Sequence, residues 1–197
     1  PGAQAELIAS VYRRANIHPK SVGYIETHGT GTELGDPIEV EGLKAAFNKL
    51  YKDFSLDVEN PHIALGALKA NIGHLEPAAG IAGVIKVLLS LKNKVIPPNI
   101  GMNEQNPYIH LAKTPFYIAE KSVDWKAYLG QDGERYPRRA GISSFGFGGT
   151  IAIRGNENWS FGASAAFGGD EFFEECFQLG GDLGVLFGDV VLLADVL

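Results

Sequence analysis

Two histidines stand where side chains could do chemistry. His28 closes the stretch "VGYIETH" and is followed at once by Gly-Thr-Gly-Thr, residues 29–32. His74 sits in "ALKANIGHLEPAAGIAGVIK", five residues after Lys69. Two histidines 46 residues apart could ligate a metal, but neither has a cysteine or carboxylate at ligand-motif spacing, so no metal is expected. Gly-Thr-Gly-Thr lacks the Gly-Lys-Ser/Thr ending of a phosphate loop and can be a plain turn. Taken alone, a histidine at a strand end reads as structural before it reads as catalytic. His18, His62 and His110 have no motif around them and read as surface or satisfied core residues. Cys176 is the single cysteine and follows Glu174 and Glu175. Their charges raise a thiol's pKa and weaken it as a nucleophile, so no catalytic role is expected of it.

The elements that must hold these residues are legible from periodicity and punctuation. Residues 3–15 carry apolar positions at helical spacing and end in Arg13 and Arg14, which suit a helix C-terminus. Val22 to Thr27 reads as a short strand, and Gly-Thr-Gly-Thr as a loop. Asp36 before Pro37 predicts an N-cap and a first helical position. Glu39 and Glu41 then fall in the first turns and Lys49 and Lys52 at the end, as the helix dipole favours. His62 to Lys69 reads as a buried strand. The next helix has Pro77 near its start and the small residues Ala78, Ala79, Gly80, Ala82 and Gly83. Glycine inside a helix costs about 1 kcal/mol against alanine, so close backbone approach and a buried helix are expected. "VIPPN" must be extended, because two prolines forbid a helix. "TPFYIAE" reads as a strand, and "RRAGISSFGFGGTIAIR" as a strand, a glycine-rich turn and another strand. The order α-β-α-β-α-β-β predicts an α/β protein with a largely buried sheet and no internal repeat. Beyond Asn156, "DEFFEECFQL" fits a short helix and "VLFGDVVLLADVL" a strand or a helix.

Bulk properties exclude several classes. The 197 residues are 45% apolar and 20% charged, an ordinary globular balance. No apolar run is long enough to span a bilayer, and none looks like a secretory signal. A lone cysteine rules out an internal disulfide framework, so a reducing, cytoplasmic setting is expected. Residues 151–197 hold eight of the 23 acids and one of the 17 bases, which leaves the body nearly neutral. No basic stripe suggests a nucleic acid, and the acidic tail reads as solvated surface. The chain opens on Pro1 and its only methionine is Met102, so it reads as part of something longer or as a processed product.

Three stretches, "ETHGTGTELGDPIE", "LKANIGHLEPAAGIAGVIKVLLSL" and "GISSFGFGGT", resemble consecutive signatures of the β-ketoacyl synthase family. They are most similar to the ketosynthase domains of modular polyketide synthases and type I fatty acid synthases. The likeness covers residues 1–150, in order and in spacing. It implies a thiolase-like α/β fold, in which two similar halves stack as α/β/α/β/α layers; only the C-terminal half is matched. Residues 1–154 are therefore expected to be that half, and 155–197 a divergent, acidic, Gly/Phe-rich tail without assignment.

The resemblance also implies a reaction, the decarboxylative Claisen condensation of an acyl thioester with malonyl-acyl carrier protein. As carbon dioxide leaves, the malonyl thioester oxygen gathers negative charge. His28 and His74 match the two family histidines that direct neutral imidazole N–H groups at such an oxygen. Lys69 matches a residue that orients this network, and its charge disfavours protonation of a nearby imidazole. Thr30 and Thr32 match positions that hold the phosphopantetheine arm of the carrier. Phe145 and Phe147 match a gating loop. No directly bound cofactor is implied. The implied partners are the acyl carrier protein, an N-terminal ketosynthase half from the same parent chain, and a second copy in a homodimer; neither nucleic acid nor membrane is implied.

The match is not complete. The family's nucleophilic cysteine lies in the N-terminal half and has no counterpart here, so the chain alone is expected to be inactive. The family continues Gly-Gly-Thr-Asn-Ala-His where this sequence has Ile151-Ala152-Ile153 after Thr150. The alternatives are a non-catalytic module that only binds or scaffolds an acylated carrier, and a biosynthetic thiolase. The thiolase is disfavoured because that branch pairs Cys with His.

Overall fold

The computed structural model describes residues 2–102, 104–130 and 133–145 with side chains, and the backbone of strands at 150–155, 161–166, 172–173 and 189–196. Helix α1 (Gly2–Arg14) leads into strand β1 (Val22–Glu26). Helix α2 (Gly35–Asp53) and strand β2 (Ile63–Gly66) follow. A single turn of helix, α3 (Lys69–Ile72), precedes the long helix α4 (Ala79–Asn93). Strand β3 (Val95–Ile96) pairs with β5 (Val123–Asp124) as a small ribbon, with β4 (Phe116–Ile118) between them in sequence. Strands β6 (Arg138–Ser144), β7 (Thr150–Gly155), β8 (Phe161–Ala166), β9 (Phe172–Phe173) and β10 (Asp189–Val196) complete the chain.

The main sheet runs β4-β2-β1-β6-β10-β7-β8-β9. Its first four strands are parallel, whereas β10 enters antiparallel to β6. Parallel strands with both faces covered read as unbroken apolar runs, as "IALG" does in β2. Ile25, Ile63 and Leu65 point to one face, where they meet Ile8, Tyr12, Leu43, Phe47 and Leu50 of α1 and α2. Tyr24, Ala64, Ala140 and Ile142 point to the other, against Val84, Val87 and Leu91 of α4. A register shift between Val22 and Tyr24 puts these two residues on opposite faces.

The small residues of α4 do what the sequence predicts for them on one side only. A Cβ on Gly83 would lie 3.3 Å from Ile142 Cγ2 and 3.4 Å from Glu26 Cγ, so the helix comes down tightly on β1 and β6. The expectation that the whole helix is buried needs correction. Ile85 and Leu89 are 53% and 54% exposed, because the sheet covers one stripe of a helix that is apolar around more of its circumference.

Two further corrections concern the site. Asp36 does not cap α2: the helix begins at Gly35, and its N-cap residue Leu34 makes no side-chain cap. The predicted strand to Lys69 ends at Gly66, and Lys69 opens α3. The cause is remote in sequence. Asn99 donates from Nδ2 to the Leu65 carbonyl at 2.7 Å and accepts the Ala67 N–H at 3.1 Å, which ends the sheet pairing and turns the chain.

Candidate active site

β1 delivers His28 at its C-terminal end. The sheet is closed off there by Thr27, whose N–H and hydroxyl both donate to the Gly66 carbonyl, at 2.7 and 2.8 Å. Gly29 then adopts φ +45°, and a Cβ there would sit 2.7 Å from Ala67 Cβ, so only glycine fits. The carboxylate of Glu39, on the buried face of α2, accepts the His28 N–H at 2.8 Å and the Gly29 N–H at 3.0 Å. Asp36 accepts the Gly31 N–H at 3.2 Å. The sharp turn after β1 is thus held by two acids one helical turn apart.

His74 lies beyond α3 in an exposed segment, not at a strand end. Even so, its ring stands 5.6 Å from that of His28, at 81°. The Phe145 N–H donates to His28 Nδ1 at 3.2 Å, and the Glu76 N–H donates to His74 Nδ1 at 2.9 Å. A neutral imidazole whose Nδ1 accepts must carry its proton on Nε2. Among the described residues, each ring therefore has its Nε2–H without a partner and able to donate outward.

Lys69 reaches back to the same place. Its Nζ donates to the His28 carbonyl and lies 3.5 Å from His28 Nδ1. Burial, the Lys69 charge and His74 push the His28 pKa down to about 4, so the ring is neutral at pH 7. Burial lowers the pKa of Lys69, opposed by Glu26, Glu39 and Asp36. Glu39 is pushed up to about 7, mainly by burial, against the pull of the Gly29 and His28 amides. Burial also raises Asp36, while the amides of Gly31, Thr30 and Thr32 hold it down.

Thr30 and Thr32 are exposed on the outer turn, with their hydroxyls 3.3 Å apart. Thr32 Oγ1 also accepts the Gly35 N–H at 3.1 Å. The ring of Phe145 stands 5.3 Å from that of His28 and packs against the α1/α2 core. Phe147 and Cys176 lie outside the described residues. Of the remaining histidines, His62 is satisfied by Tyr51 and the Asn60 carbonyl, His18 stacks on Tyr128, and His110 is exposed. Among the described residues no three His, Cys, Asp or Glu side chains are grouped to hold a metal, and no helix is long and apolar enough to cross a membrane.

Two clefts accompany the sheet among the described residues, and neither His28 nor His74 lines them. One, of about 360 Å³, lies at the opposite, N-terminal ends of β1 and β2, beside Trp125 and Tyr128. The other, of about 500 Å³, runs along α4 past Ile72, Ile85 and Leu89. The imidazole pair thus sits on an open rim among the described residues.

Sequence reasoning missed Glu39 and Glu26. Both carried a signal: Glu39 falls on the same helical stripe as Leu43, Ala46 and Leu50, and Glu26 falls on the Tyr24 face of a buried strand. An acid on an apolar stripe needs a partner.

Residues 1–103 match the family model described as the C-terminal domain of β-ketoacyl synthase. Polyketide synthase PksN of Bacillus subtilis is 53% identical over 152 residues, which are 77% of this chain and 3% of that protein. A phenolphthiocerol/phthiocerol polyketide synthase of Mycobacterium tuberculosis is 47% identical over 152 residues, 77% of this chain and 9% of that protein. Among solved structures, an oxazolomycin ketosynthase domain from Streptomyces albus superposes with a TM-score of 0.66 at 39% identity, over 74% of this chain and 24% of that one. The ketosynthase from module 6 of the Bacillus subtilis bacillaene synthase gives 0.64 at 38% identity, again over 74% and 24%. The chain therefore spans about a quarter of the solved domains it matches, and 3% and 9% of the two curated synthases.

Proposed function

Because the chain belongs to the β-ketoacyl synthase family, among the thiolase-like ketosynthases of modular polyketide synthases, we propose that it supplies the carbanion-stabilising half of a condensing site. Residues 1–154 are the C-terminal half of the ketosynthase, and 155–197 a divergent tail. An N-terminal half of the same parent brings the cysteine that carries the acyl chain. It also closes the open rim over the histidines, and the assembled enzyme is a cytoplasmic homodimer.

The chemistry follows from charge. The C–C bond from the malonyl carbon to its carboxylate breaks, carbon dioxide leaves, and the electron pair passes into an enolate whose oxygen turns anionic. The enolate carbon then bonds to the acyl carbonyl, and the cysteine sulfur departs as thiolate. His28 and His74 donate from Nε2 to the enolate oxygen, a stabilisation that grows as charge develops. Lys69 keeps His28 neutral and oriented. Thr30 and Thr32 hold the phosphopantetheine arm of the acyl carrier protein, and Phe145 and Phe147 border the acyl pocket. A single observation carries this reading: two imidazoles 5.6 Å apart, each with Nδ1 occupied by a backbone N–H.

His28→Ala in the full-length parent tests it. Condensation is expected to fall on the order of a hundredfold or more, the usual loss for one such donor. Binding of acylated carrier should be little changed. A parent that binds acylated carrier but condenses nothing even before substitution supports the scaffolding alternative instead. A His28→Ala variant as active as its parent removes the proposed role.

A further inference from the structure

We propose that Glu26 is the positioning residue of this site: its buried carboxylate ties together β1, the turn into α3 and helix α4, and so holds the Lys69 ammonium against His28. The inference rests on the condensing role proposed above for His28 and Lys69.

Glu26 is 3% exposed and lies two residues before His28. Both oxygens of its carboxylate have partners. The Leu68 N–H, immediately before Lys69, donates to Oε1 at 2.5 Å. The Tyr24 hydroxyl donates to Oε2 at 2.6 Å, and Lys86 Nζ of α4 lies 2.8 Å from the same oxygen. One side chain therefore links the strand that ends at His28, the residue that precedes Lys69, and the helix packed beneath both. The close approach at Gly83 serves this arrangement, since a larger residue there would press on the Glu26 side chain itself. Tyr24 is fixed in turn, because a Cβ on Gly66 would collide with its hydroxyl.

Electrostatics points the same way. Lys69 faces Glu26 and His28 from β1 and its end, Asp36 and Glu39 from α2, and Lys86 lies behind Glu26 on α4. Glu26 is the strongest of the three carboxylates that oppose the effect of burial on Lys69. Without that charge Lys69 would lose its proton more readily. A neutral amine could no longer disfavour protonation of His28, and it would donate more weakly to the His28 carbonyl.

The test measures Lys69 directly. In the full-length parent, trace acetic anhydride labels each lysine in proportion to its free amine, and peptide mass spectrometry across a pH series gives the titration of Lys69. In Glu26→Gln, which keeps the side-chain shape, the Lys69 midpoint is expected to move to lower pH. The alkaline limb of the condensation profile should move with it, and kcat should fall on the order of tenfold to a hundredfold with KM little changed, as for a misplaced reacting group. Lys86→Met removes the competing cation from Glu26 and leaves its Leu68 and Tyr24 donors in place, so Lys69 should move the other way, to higher pH. Local unfolding cannot produce opposite shifts, and the second variant decides the matter if the first fails to fold. A Lys69 midpoint unchanged in the folded variants, or moved in the same direction by both, overturns the proposal. The two readings fail separately. Opposite Lys69 shifts with a fully active His28→Ala would retain the Glu26 role and remove the condensing role. Unmoved Lys69 with an inactive His28→Ala would do the reverse.

Discussion

The two faces of the sheet are built to different ends. On the α1/α2 face a continuous set of fully buried side chains, among them Ile8, Tyr12, Leu43, Phe47 and Leu50, closes against β1, β2 and β4. On the α4 face the apolar cluster is smaller and shares its space with the buried Glu26–Lys86 pair. Beyond it, α4 turns Ile85 and Leu89 outward. The first face gains its stability mainly from apolar burial, with Glu39 as the buried acid of α2 where that face meets the His28 turn. The second accepts the desolvation of two charges, which contributes little net stability but fixes geometry at the strand ends. The difference separates a face closed by apolar packing from one that carries a buried ion pair at the strand ends.

The sharpest way to break that distinction is a cavity on the first face. Phe47 is fully buried and meets Tyr12 and Phe116 edge to face, at 5.3 and 5.2 Å. Phe47→Ala should cost about 3–5 kcal/mol, read as a lowered urea midpoint with an unchanged slope. Lys69 acetylation in the folded protein should not move. If it shifts as far as in Glu26→Gln, the faces are not separable.

The legibility of the molecule follows the same division. Periodicity placed α1, α2 and α4, because each buries a stripe that its own sequence displays. The Gly and Ala run in α4 announced a close approach, which Gly83 makes. His28, Lys69 and His74 were found by local words, but their placement was not. Asn99 ends β2 from some thirty residues away, and nothing near Lys69 could have revealed it. Glu39 and Glu26 were visible as acids on apolar stripes, but their partners, two backbone amides and Lys86, come from other segments. Sequence shows what each element must bury more readily than whom a buried charge will meet.

A smaller effect lies in pH dependence, where one group from each side of the site opposes the other. The folded His28 pKa of about 4 lies below the unfolded 6.5, so between these values the unfolded chain binds more protons. That contribution is lost as pH falls from 6.5 towards 4. Glu39 has the reverse sign. Its folded pKa of about 7 lies above the unfolded 4.5, so its carboxyl favours the fold below 4.5, and this contribution fades as pH rises towards 7. The two slopes offset each other between pH 4.5 and 6.5. Relative to the unaltered chain, His28→Ala should make stability fall more steeply with rising pH across that window, and Glu39→Gln should make it rise more steeply. Urea midpoints at four pH values would show it, and slopes of the same sign in both variants would contradict the assignment.

The smallest expected effect tests whether the α4 face is open at all. Ile85 and Leu89 are spaced one helical turn apart beside Ile72, Leu68 and Ala82 along an apolar groove. Charged residues there remove no contact from the core behind them. Ile85→Lys combined with Leu89→Glu should therefore change the unfolding free energy of the 197-residue chain by no more than about 0.5 kcal/mol, the usual range for surface substitutions. Binding of a hydrophobic dye should fall, because the exposed apolar stripe is what the dye would occupy. The same charge placed at Ile8, fully buried on the other face, should prevent folding. A cost of several kcal/mol at Ile85 and Leu89 would mean that this stripe is covered in the folded chain, and the contrast between a closed face and an open one would be lost.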